Sequence, residues 1–298
     1  MIIDGIFNIN KPSGTTSFNI ISIIRRLTGY RRVGHAGTLD PMASGVLPVC
    51  FGKGTKVIEF LLEASKVYRA QIELGTTTDT FDAFGNITRK CDYSAINPNL
   101  IEQSLFSFRG SIKQVPPMFS AIKYRGKRLY HFAREGAIIN RQTRNVTIYR
   151  LELLEFKLPY ISIEVECSRG TYIRSLAFDL GELLGCGAYL KNLIRRSYGP
   201  FDIEKAASLG QLEHAFSNSN WQQFVYPIDI VLNHLSSVVV NYEQEKVLKN
   251  GGSIDIKDTY ISKSQEKRCR AYNKNGVFLA VLYLNSDRGH WQPQKVFA

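Results

Sequence analysis

The segment GHAGTLDPMASGVLP, Gly34–Pro48, carries the strongest indication of fold and chemistry in this chain. Pro41 biases Asp40 toward an extended backbone, so this carboxylate does not lie inside a helix. The glycines of the segment permit sharp turns or the close approach of a ligand. Leu39 and Met42 can exclude water from Asp40, and burial alone raises the pKa of a carboxyl group. A functional Asp40 therefore needs a cationic partner, whereas the alternative interpretation is an Asx turn before the proline.

Strand and helix patterns surround this segment without a regular βαβ alternation. GIFNIN predicts a strand that leads through KPSGTTS into a helix, which Ser17 caps and Gly29 ends. Alternating apolar residues predict strands at residues 67–74 and 161–168, and the second strand runs into an amphipathic helix at residues 173–184. This mixture predicts an α+β fold with a central mixed, largely antiparallel sheet.

Positive charge is concentrated in one stretch of the chain. Lysine and arginine total 38 against 26 acidic residues, and residues 113–150 hold nine of the basic side chains with Glu135 as the only acid. Basic side chains displace counterions from phosphates, and aromatic rings stack on unpaired bases. The rings interleaved with this charge are Phe119, Tyr124, Tyr130 and Phe132. The stretch predicts a basic insertion over the core that binds single-stranded or looped RNA, although solubility alone also explains excess charge.

The chain length of 298 residues predicts two domains. Short strand patterns and a hairpin signal at Asn275-Gly276 predict a small β-rich domain at residues 234–298, after a main domain at residues 1–233. The five scattered cysteines lack zinc-ligand spacing, so we expect core thiols and no structural metal. No apolar run approaches the roughly 18 residues of a membrane span, and the first residues lack a signal-peptide pattern. We therefore expect a cytoplasmic protein.

Two polar segments allow both a functional and a structural interpretation. Asp79 and Asp82 in TTTDTFDAFG can bind a divalent metal, as in nucleases, or stabilise turns. The turn interpretation is favoured because further hard oxygen ligands are not evident nearby in the sequence. Arg195 and Arg196 can contact phosphate or be solvated.

Four further residues also allow both a functional and a structural interpretation. Tyr68 shares a strand face with apolar residues, where an aromatic is ordinarily part of the core. His35 can be a general base or a hydrogen-bonded structural residue. Arg174 begins a helix together with Tyr172, and the helix dipole disfavours a cation there. An acidic partner for Arg174 is therefore expected.

Taken together, these segments resemble the TruB family of pseudouridine synthases. GHAGTLDPMASGVLP is similar to the catalytic motif of that family, which makes Asp40 the counterpart of the family aspartate. The tail, residues 234–298, resembles the PUA-type RNA-binding domain of the family in composition. The resemblance extends in family order through INKPSGTTS, KVYRAQIELGTTTDTFDAFG, PPMFSAIKYRGKRLYHFAREG and CSRGTYIRSLAFDLGELLGCGAYLKNLIRR.

The resemblance implies the pseudouridine-synthase fold and an enzyme that isomerises a uridine in the T loop of tRNA to pseudouridine. Asp40 is then the residue that initiates cleavage of the N-glycosidic bond, and Arg174 is the partner that keeps it charged. Tyr68 stacks on the target base and assists removal of the C5 proton. Extrusion of the base is expected because a stacked base cannot detach, turn and reattach.

The resemblance also implies roles for residues around these three. Leu193 packs against the uracil ring, His35 fills the space that the flipped uridine leaves, and Tyr172 contacts the substrate. Asp79 and Asp82 are structural or orient the RNA. The basic insertion, about 113–150, is the RNA-binding thumb on the tRNA T-arm, through Lys123, Arg125, Lys127 and Arg128. Neither a metal nor a cofactor is expected, and the protein is expected to act as a monomer.

Three rival functions use the same residues differently. A non-catalytic RNA chaperone uses the thumb to open the T-arm and loses nothing on Asp40→Asn. A metal-dependent RNA hydrolase uses Asp79 and Asp82 and is sensitive to EDTA. The guide-RNA-dependent branch of the same family relies on partner proteins, whereas the long basic insertion favours stand-alone recognition of tRNA.

Overall fold

The computed structural model describes residues 4–255, 267–285 and 289–298. The strands are β1 Gly5–Lys11, β2 Val33–His35, β3 Ser44–Phe51, β4 Lys66–Leu74, β5 Thr76–Thr78, β6 Ile87–Lys90, β7 Gly110–Gln114, β8 Lys123–Tyr124, β9 Lys127–Arg128, β10 Arg144–Lys157, β11 Tyr160–Cys167, β12 Ala188–Tyr198, β13 Phe201–Asp202, β14 Val225–Tyr226, β15 Ser237–Val239, β16 Arg268–Tyr272, β17 Phe278–Asn285 and β18 His290–Val296. The α-helices are α1 Ser17–Thr28, α2 Ile58–Glu63, α3 Pro98–Phe106, α4 Leu129–Arg134, α5 Ile173–Leu183, α6 Leu209–Ser217 and α7 Tyr242–Lys249.

A ten-stranded sheet dominates the described part of the chain. Its order is β14-β1-β3-β12-β4-β11-β10-β7, with β13 paired to β12 and β2 paired to β3. Strand β12 pairs with β3 in parallel, whereas β1 with β3, β4 with β11 and β12, and β10 with β7 and β11 are antiparallel. The predicted α+β fold with a central mixed, largely antiparallel sheet is confirmed.

The first helix follows the predicted pattern except at its N-terminus. Ile20, Ile21 and Ile24 are buried on one face, and Gly29 ends the helix in the left-handed region at φ 70°. The N-cap is Thr16, whose hydroxyl accepts from the Asn19 N–H at 3.1 Å, so the expectation that Ser17 caps α1 is wrong. The Ser17 hydroxyl instead contacts the backbone of Leu39, which draws this helix end toward Asp40.

Strand β12 lies at the centre of the sheet and determines which segments meet. It pairs with β4 on one side and with β3 on the other. The segment before β3 carries Asp40, and β4 carries Tyr68. Side chains of β4 alternate between buried and more exposed positions, as the period-two pattern predicts. The sheet therefore places the Asp40 segment and Tyr68 on opposite sides of β12.

The basic insertion is shorter than the sequence suggests. Both ends of the range 113–150 belong to the sheet, because residues 110–114 of β7 pair with residues 144–148 of β10. The part that leaves the sheet is residues 115–143, which we call the thumb. It contains the β8–β9 hairpin, whose central residues Arg125 and Gly126 have φ of 47° and 84°, followed by α4. Two positive φ values are typical of a type I′ turn, which matches the twist of a hairpin.

The C-terminal region forms a second sheet, in the order β15-β16-β17-β18. The predicted hairpin at Asn275-Gly276 joins β16 and β17, with Gly276 at φ 75°. Val281 and Phe297 pack against Phe60 of the main region in one buried cluster. The β-rich character of the C-terminal region is confirmed, the boundary between residues 233 and 234 stays a prediction, and residues 256–266 and 286–288 of this region lie outside the described residues. No helix in the described ranges is long and apolar enough to cross a bilayer.

Candidate active site

Arg174 is the hub of the candidate site. It begins α5, only 5% of its side chain is exposed, and its Nε lies 2.9 Å from Asp40 Oδ2. This contact is an ion pair without hydrogen-bond alignment of the Nε–H. Nη1 lies 3.5 Å from Asp82 Oδ2. The guanidinium also donates to Thr80 O at 3.3 Å and to Phe119 O in the thumb at 3.0 Å. Arg174 therefore has the acidic partners that its position in a first helical turn demands.

The segment that carries Asp40 is held by the loop after β1. Gly14 N–H donates to Pro41 O at 2.8 Å, and the Ser13 hydroxyl donates to Met42 O at 2.8 Å. The Ser17 hydroxyl donates to Leu39 O at 3.1 Å and accepts from Leu39 N–H at 3.0 Å. The Asp40 side chain is 36% exposed. The result is a carboxylate that is fixed by its backbone and by Arg174, yet open to a ligand.

The two acidic residues of the TTTDTFDAFG turn form turn interactions. Asp79 accepts from the Asn86 N–H at 2.9 Å, and Asp82 accepts from the Thr80 hydroxyl at 2.6 Å and the Phe84 N–H at 3.0 Å. Asp82 is buried and contributes the second carboxylate on Arg174. Among the residues that the structure describes, no three His, Cys, Asp or Glu side chains converge as metal ligands would. These hydrogen bonds agree with the turn interpretation of this segment.

Tyr68 and Leu193 belong to the same large buried core as Leu39 and Met42, the two residues that flank Asp40-Pro41 in the sequence. Burial raises the pKa of Tyr68, while the charge and hydrogen bonding of Arg195 act in the opposite direction. The Tyr68 hydroxyl is therefore protonated at neutral pH. Leu193 faces Ala70 across the β12–β4 pair. Both predicted base-contacting side chains thus lie on the adjacent strands β4 and β12.

His35 and Tyr172 are both partly buried, His35 in β2 and Tyr172 at the N-cap of α5. Burial lowers the pKa of His35, and the charge of Arg195 lowers it further, so the imidazole is neutral at pH 7. Its Nδ1 is buried and has no hydrogen-bond partner in the described structure. The Tyr172 backbone exchanges two hydrogen bonds with the Gln114 side chain, at 2.8 and 2.9 Å. Tyr172 therefore marks the junction between α5 and the base of the thumb.

The predicted RNA-contacting residues of the thumb are exposed. Lys123, Arg125, Lys127 and Arg128 face solvent, and none forms an ion pair within the described residues. The thumb aromatics pack on one another and on cations: Tyr124 contacts Phe132 at 6.0 Å between ring centroids, and Arg134 lies 5.5 Å from the Tyr130 centroid. The charge of the thumb is thus available to a polyanion, whereas its rings are partly engaged.

Three buried cations were not recognised from the sequence, namely Lys11, Lys66 and Arg195. Lys11 is fully buried, with Nζ donating to Thr15 O at 2.7 Å and Pro12 O at 3.0 Å. Burial lowers the pKa of Lys11 to about 8, against the opposing charge of Asp40. Arg195 is 1% exposed, so neither sequence interpretation of it, phosphate contact or solvation, is correct. One signal was available for Lys11, which continues the strand face of Phe7 and Ile9.

Comparison with known proteins agrees with this architecture. The N-terminal domain of TruB family pseudouridylate synthases matches residues 25–173, and the C-terminal domain of tRNA pseudouridylate synthase B matches residues 174–233. A tRNA pseudouridine synthase B of Dehalococcoides mccartyi is 45% identical over 99% of this chain and 96% of its own length. That of Clostridium kluyveri is 43% identical over 93% of this chain and 94% of its own length.

Solved structures show the same fold over nearly the whole chain. A Cbf5–Nop10–Gar1 complex contains a chain that is 26% identical, with a TM-score of 0.77, covering 99% of this chain and 85% of that one. An H/ACA RNP bound to a substrate RNA containing 2′-deoxyuridine contains a chain with a TM-score of 0.76 at 24% identity, which covers 99% of this chain and 85% of that one. The predicted enzyme class, a pseudouridine synthase, is confirmed. Within that class, the chain belongs to the TruB family of pseudouridylate synthases.

Proposed function

We propose that this protein isomerises a uridine in the T loop of tRNA to pseudouridine, with Asp40 as its catalytic carboxylate. The observation that carries the proposal is the ion pair between Asp40 and the buried Arg174, placed beside Tyr68 and at the base of an exposed basic thumb. The relatives named tRNA pseudouridine synthase B support tRNA as the substrate. The catalytic roles of the individual residues belong to the proposal.

The chemistry follows from the surroundings of Asp40. The guanidinium of Arg174 is the counter-charge of Asp40, and the Asp40 carboxylate initiates cleavage of the bond between C1′ and N1. The uracil then turns so that C5 faces C1′, and a C1′–C5 bond forms. The proton leaves C5, and N1 acquires one, so the product is an isomer of the substrate. Apart from the C5 proton, which is released to water while N1 takes one up, no atoms are exchanged.

The side chains around Asp40 hold the extruded base. Tyr68 stacks on the uracil, and its neutral hydroxyl relays a proton during removal of the C5 hydrogen. Leu193 packs against the ring, and Tyr172 contacts the substrate at the base of the thumb. His35, which is neutral because burial lowers its pKa, fills the space that the flipped uridine leaves. Extrusion of an unpaired loop base costs little pairing energy, which favours a loop over a stem as the target.

The thumb and the C-terminal region provide the affinity for RNA. The exposed cations of the thumb bind the phosphates of the T-arm by releasing counterions. The C-terminal β-rich region acts as a PUA-type RNA-binding domain. We propose that the enzyme acts in the cytoplasm. We also propose that it acts as a monomer, because one chain supplies Asp40, Arg174 and Asp82 of the proposed site.

Tritium release from T-arm RNA that carries 5-³H-uridine tests the proposal directly. Wild type is compared with Asp40→Asn, in the presence of EDTA, on the normal T-arm and on one whose target uridine is a cytidine. Release by wild type alone, and from the normal T-arm alone, supports an Asp40-dependent isomerisation in the T loop. Tight binding by both proteins without release favours the chaperone, and strand cleavage that EDTA abolishes favours the hydrolase.

A further inference from the structure

Arg195 is a buried cation that the chemistry above leaves without a role. Only 1% of it is exposed, and in the described part of the chain no carboxylate lies within ion-pair distance of its guanidinium. Burying a charge without a counter-charge opposes folding. A buried arginine on the central strand of the sheet, next to the proposed site, therefore calls for a function that offsets this cost.

The register of the sheet places Arg195 between the two halves of the proposed site. On one side its Cα pairs with Gly45 of β3, at the end of the segment that carries Asp40. On the other side its Cα pairs with Tyr68 of β4. Arg195 is thus the residue of β12 that neighbours both the Asp40 segment and the tyrosine.

The guanidinium holds the Asp40 segment at both ends. Nε donates to Val46 O at 2.6 Å, and Nη2 donates to Gly37 O at 3.0 Å. The backbone between these two carbonyls makes the turn that presents Asp40. Gly37 has φ 63°, and a Cβ there would lie 2.9 Å from Tyr198 Cε1 and 3.3 Å from Arg195 Nη1. A side chain at position 37 would therefore push the segment away from the arginine.

Arg195 also lies opposite Tyr68 in the β12–β4 pair. Its charge and its hydrogen bonding both act on the Tyr68 phenol. Its Cζ lies 4.9 Å from the centroid of the Tyr198 ring, and this cation–π contact restricts the orientation of the guanidinium. One arginine therefore hydrogen-bonds to the Asp40 segment and lies opposite Tyr68 in the sheet.

We infer that Arg195 is a positioning residue, whose guanidinium fixes the segment that carries Asp40 relative to the hydroxyl of Tyr68. Both groups then meet the same extruded nucleotide at a constant separation. The inference rests on the proposed function, because it assumes that Asp40 and Tyr68 act on one uridine. The separated nitrogens of a guanidinium can reach both Val46 O and Gly37 O, whereas a lysine offers only a single ammonium.

The test compares Arg195→Lys and Arg195→Met with Arg196→Met. Arg196 is the adjacent residue, and its guanidinium pairs at the surface with Glu204 at 2.6 Å. For Arg195→Lys we expect a single-turnover rate of tritium release about 100-fold below wild type, because a displacement of about 1 Å costs that much. The Kd for T-arm RNA should change by less than about threefold, since the thumb is untouched. Arg196→Met should release tritium at the wild-type rate.

If Arg195→Lys releases tritium at the wild-type rate, the inference is overturned, because a positive charge without the guanidinium geometry is then sufficient. Arg195→Lys carries the test even if Arg195→Met does not fold. A double-mutant cycle with Tyr68→Phe adds a second readout. If the arginine acts partly through the hydroxyl, Arg195→Lys should slow the Tyr68→Phe enzyme by less than about tenfold. Fully multiplicative losses overturn the link to Tyr68. Absence of release by wild type refutes the proposed function itself, which distinguishes the two failures.

Discussion

Replacing Arg174 by methionine removes the partner of two carboxylates in one step. Asp82 is the more consequential of the two, because only 9% of its side chain is exposed, although its ion-pair distance of 3.5 Å is longer than the 2.9 Å of Asp40. Removing one member of a buried ion pair typically costs about 3 kcal/mol or more, since the remaining charge stays buried. Asp40 is more exposed, and solvent screens its contribution.

The two backbone acceptors of Arg174 add to this loss. Thr80 O and Phe119 O each lose a hydrogen bond worth about 1 kcal/mol. We therefore expect Arg174→Met to lower the free energy of unfolding by roughly 5 kcal/mol, a large part of the 5–15 kcal/mol typical of a folded protein. Urea titration measures this change, with the midpoint and the slope fitted separately.

A second substitution separates stability from catalysis. Asp82→Asn in the Arg174→Met background neutralises the carboxylate that was left unpaired, and about half of the lost stability should return. Tritium release should remain abolished in both variants, because Asp40 has lost its counter-charge. The Kd for T-arm RNA should stay close to wild type, since neither residue belongs to the exposed surface of the thumb.

Two results would refute this reasoning. If the double variant is no more stable than Arg174→Met, then Asp82 is not the buried charge that makes the substitution costly. If Arg174→Met releases tritium at a near-normal rate, then Arg174 does not belong to the catalytic site.

Three further outcomes are expected. Tyr68→Phe keeps the stacking ring and removes the hydroxyl, so the rate of tritium release should fall by about 100-fold or more while the Kd for RNA is retained, and an equal rate would remove the hydroxyl from the proton transfer. A second variant neutralises four thumb cations, Lys123, Arg125, Lys127 and Arg128. RNA binding should weaken, and the slope of log K against log salt concentration should become shallower by up to about four. An unchanged slope would contradict the thumb assignment. Because the folded protein holds the pKa of Lys11 at about 8 against 10.5 when exposed, it binds fewer protons than the unfolded chain between these values. The free energy of unfolding of wild type should therefore rise relative to that of Lys11→Met as the pH increases from about 8 to 10.5, and a constant difference would show that Lys11 is solvated.

Local patterns in the sequence determined the elements and the chemical character of the chain. The alternation along β4 and β11, the glycine that ends α1 and the hairpin signal at Asn275-Gly276 all depend on neighbours within a few residues, and the structure has each of them. The extended backbone of Asp40 follows from Pro41. The excess positive charge at residues 113–150 is a property of composition and needs no fold.

Tertiary structure alone decided which of these residues meet and which are buried. The pairing of β7 with β10 moved the ends of the basic range into the sheet and left residues 115–143 as the thumb. Arg174 contacts Asp40 and Asp82 only because α5, the β2–β3 segment and the turn after β5 converge. Lys11 and Arg195 resemble surface cations in the sequence, since long basic side chains are ordinarily solvated. Their burial results from long-range strand pairing, which local sequence patterns do not encode.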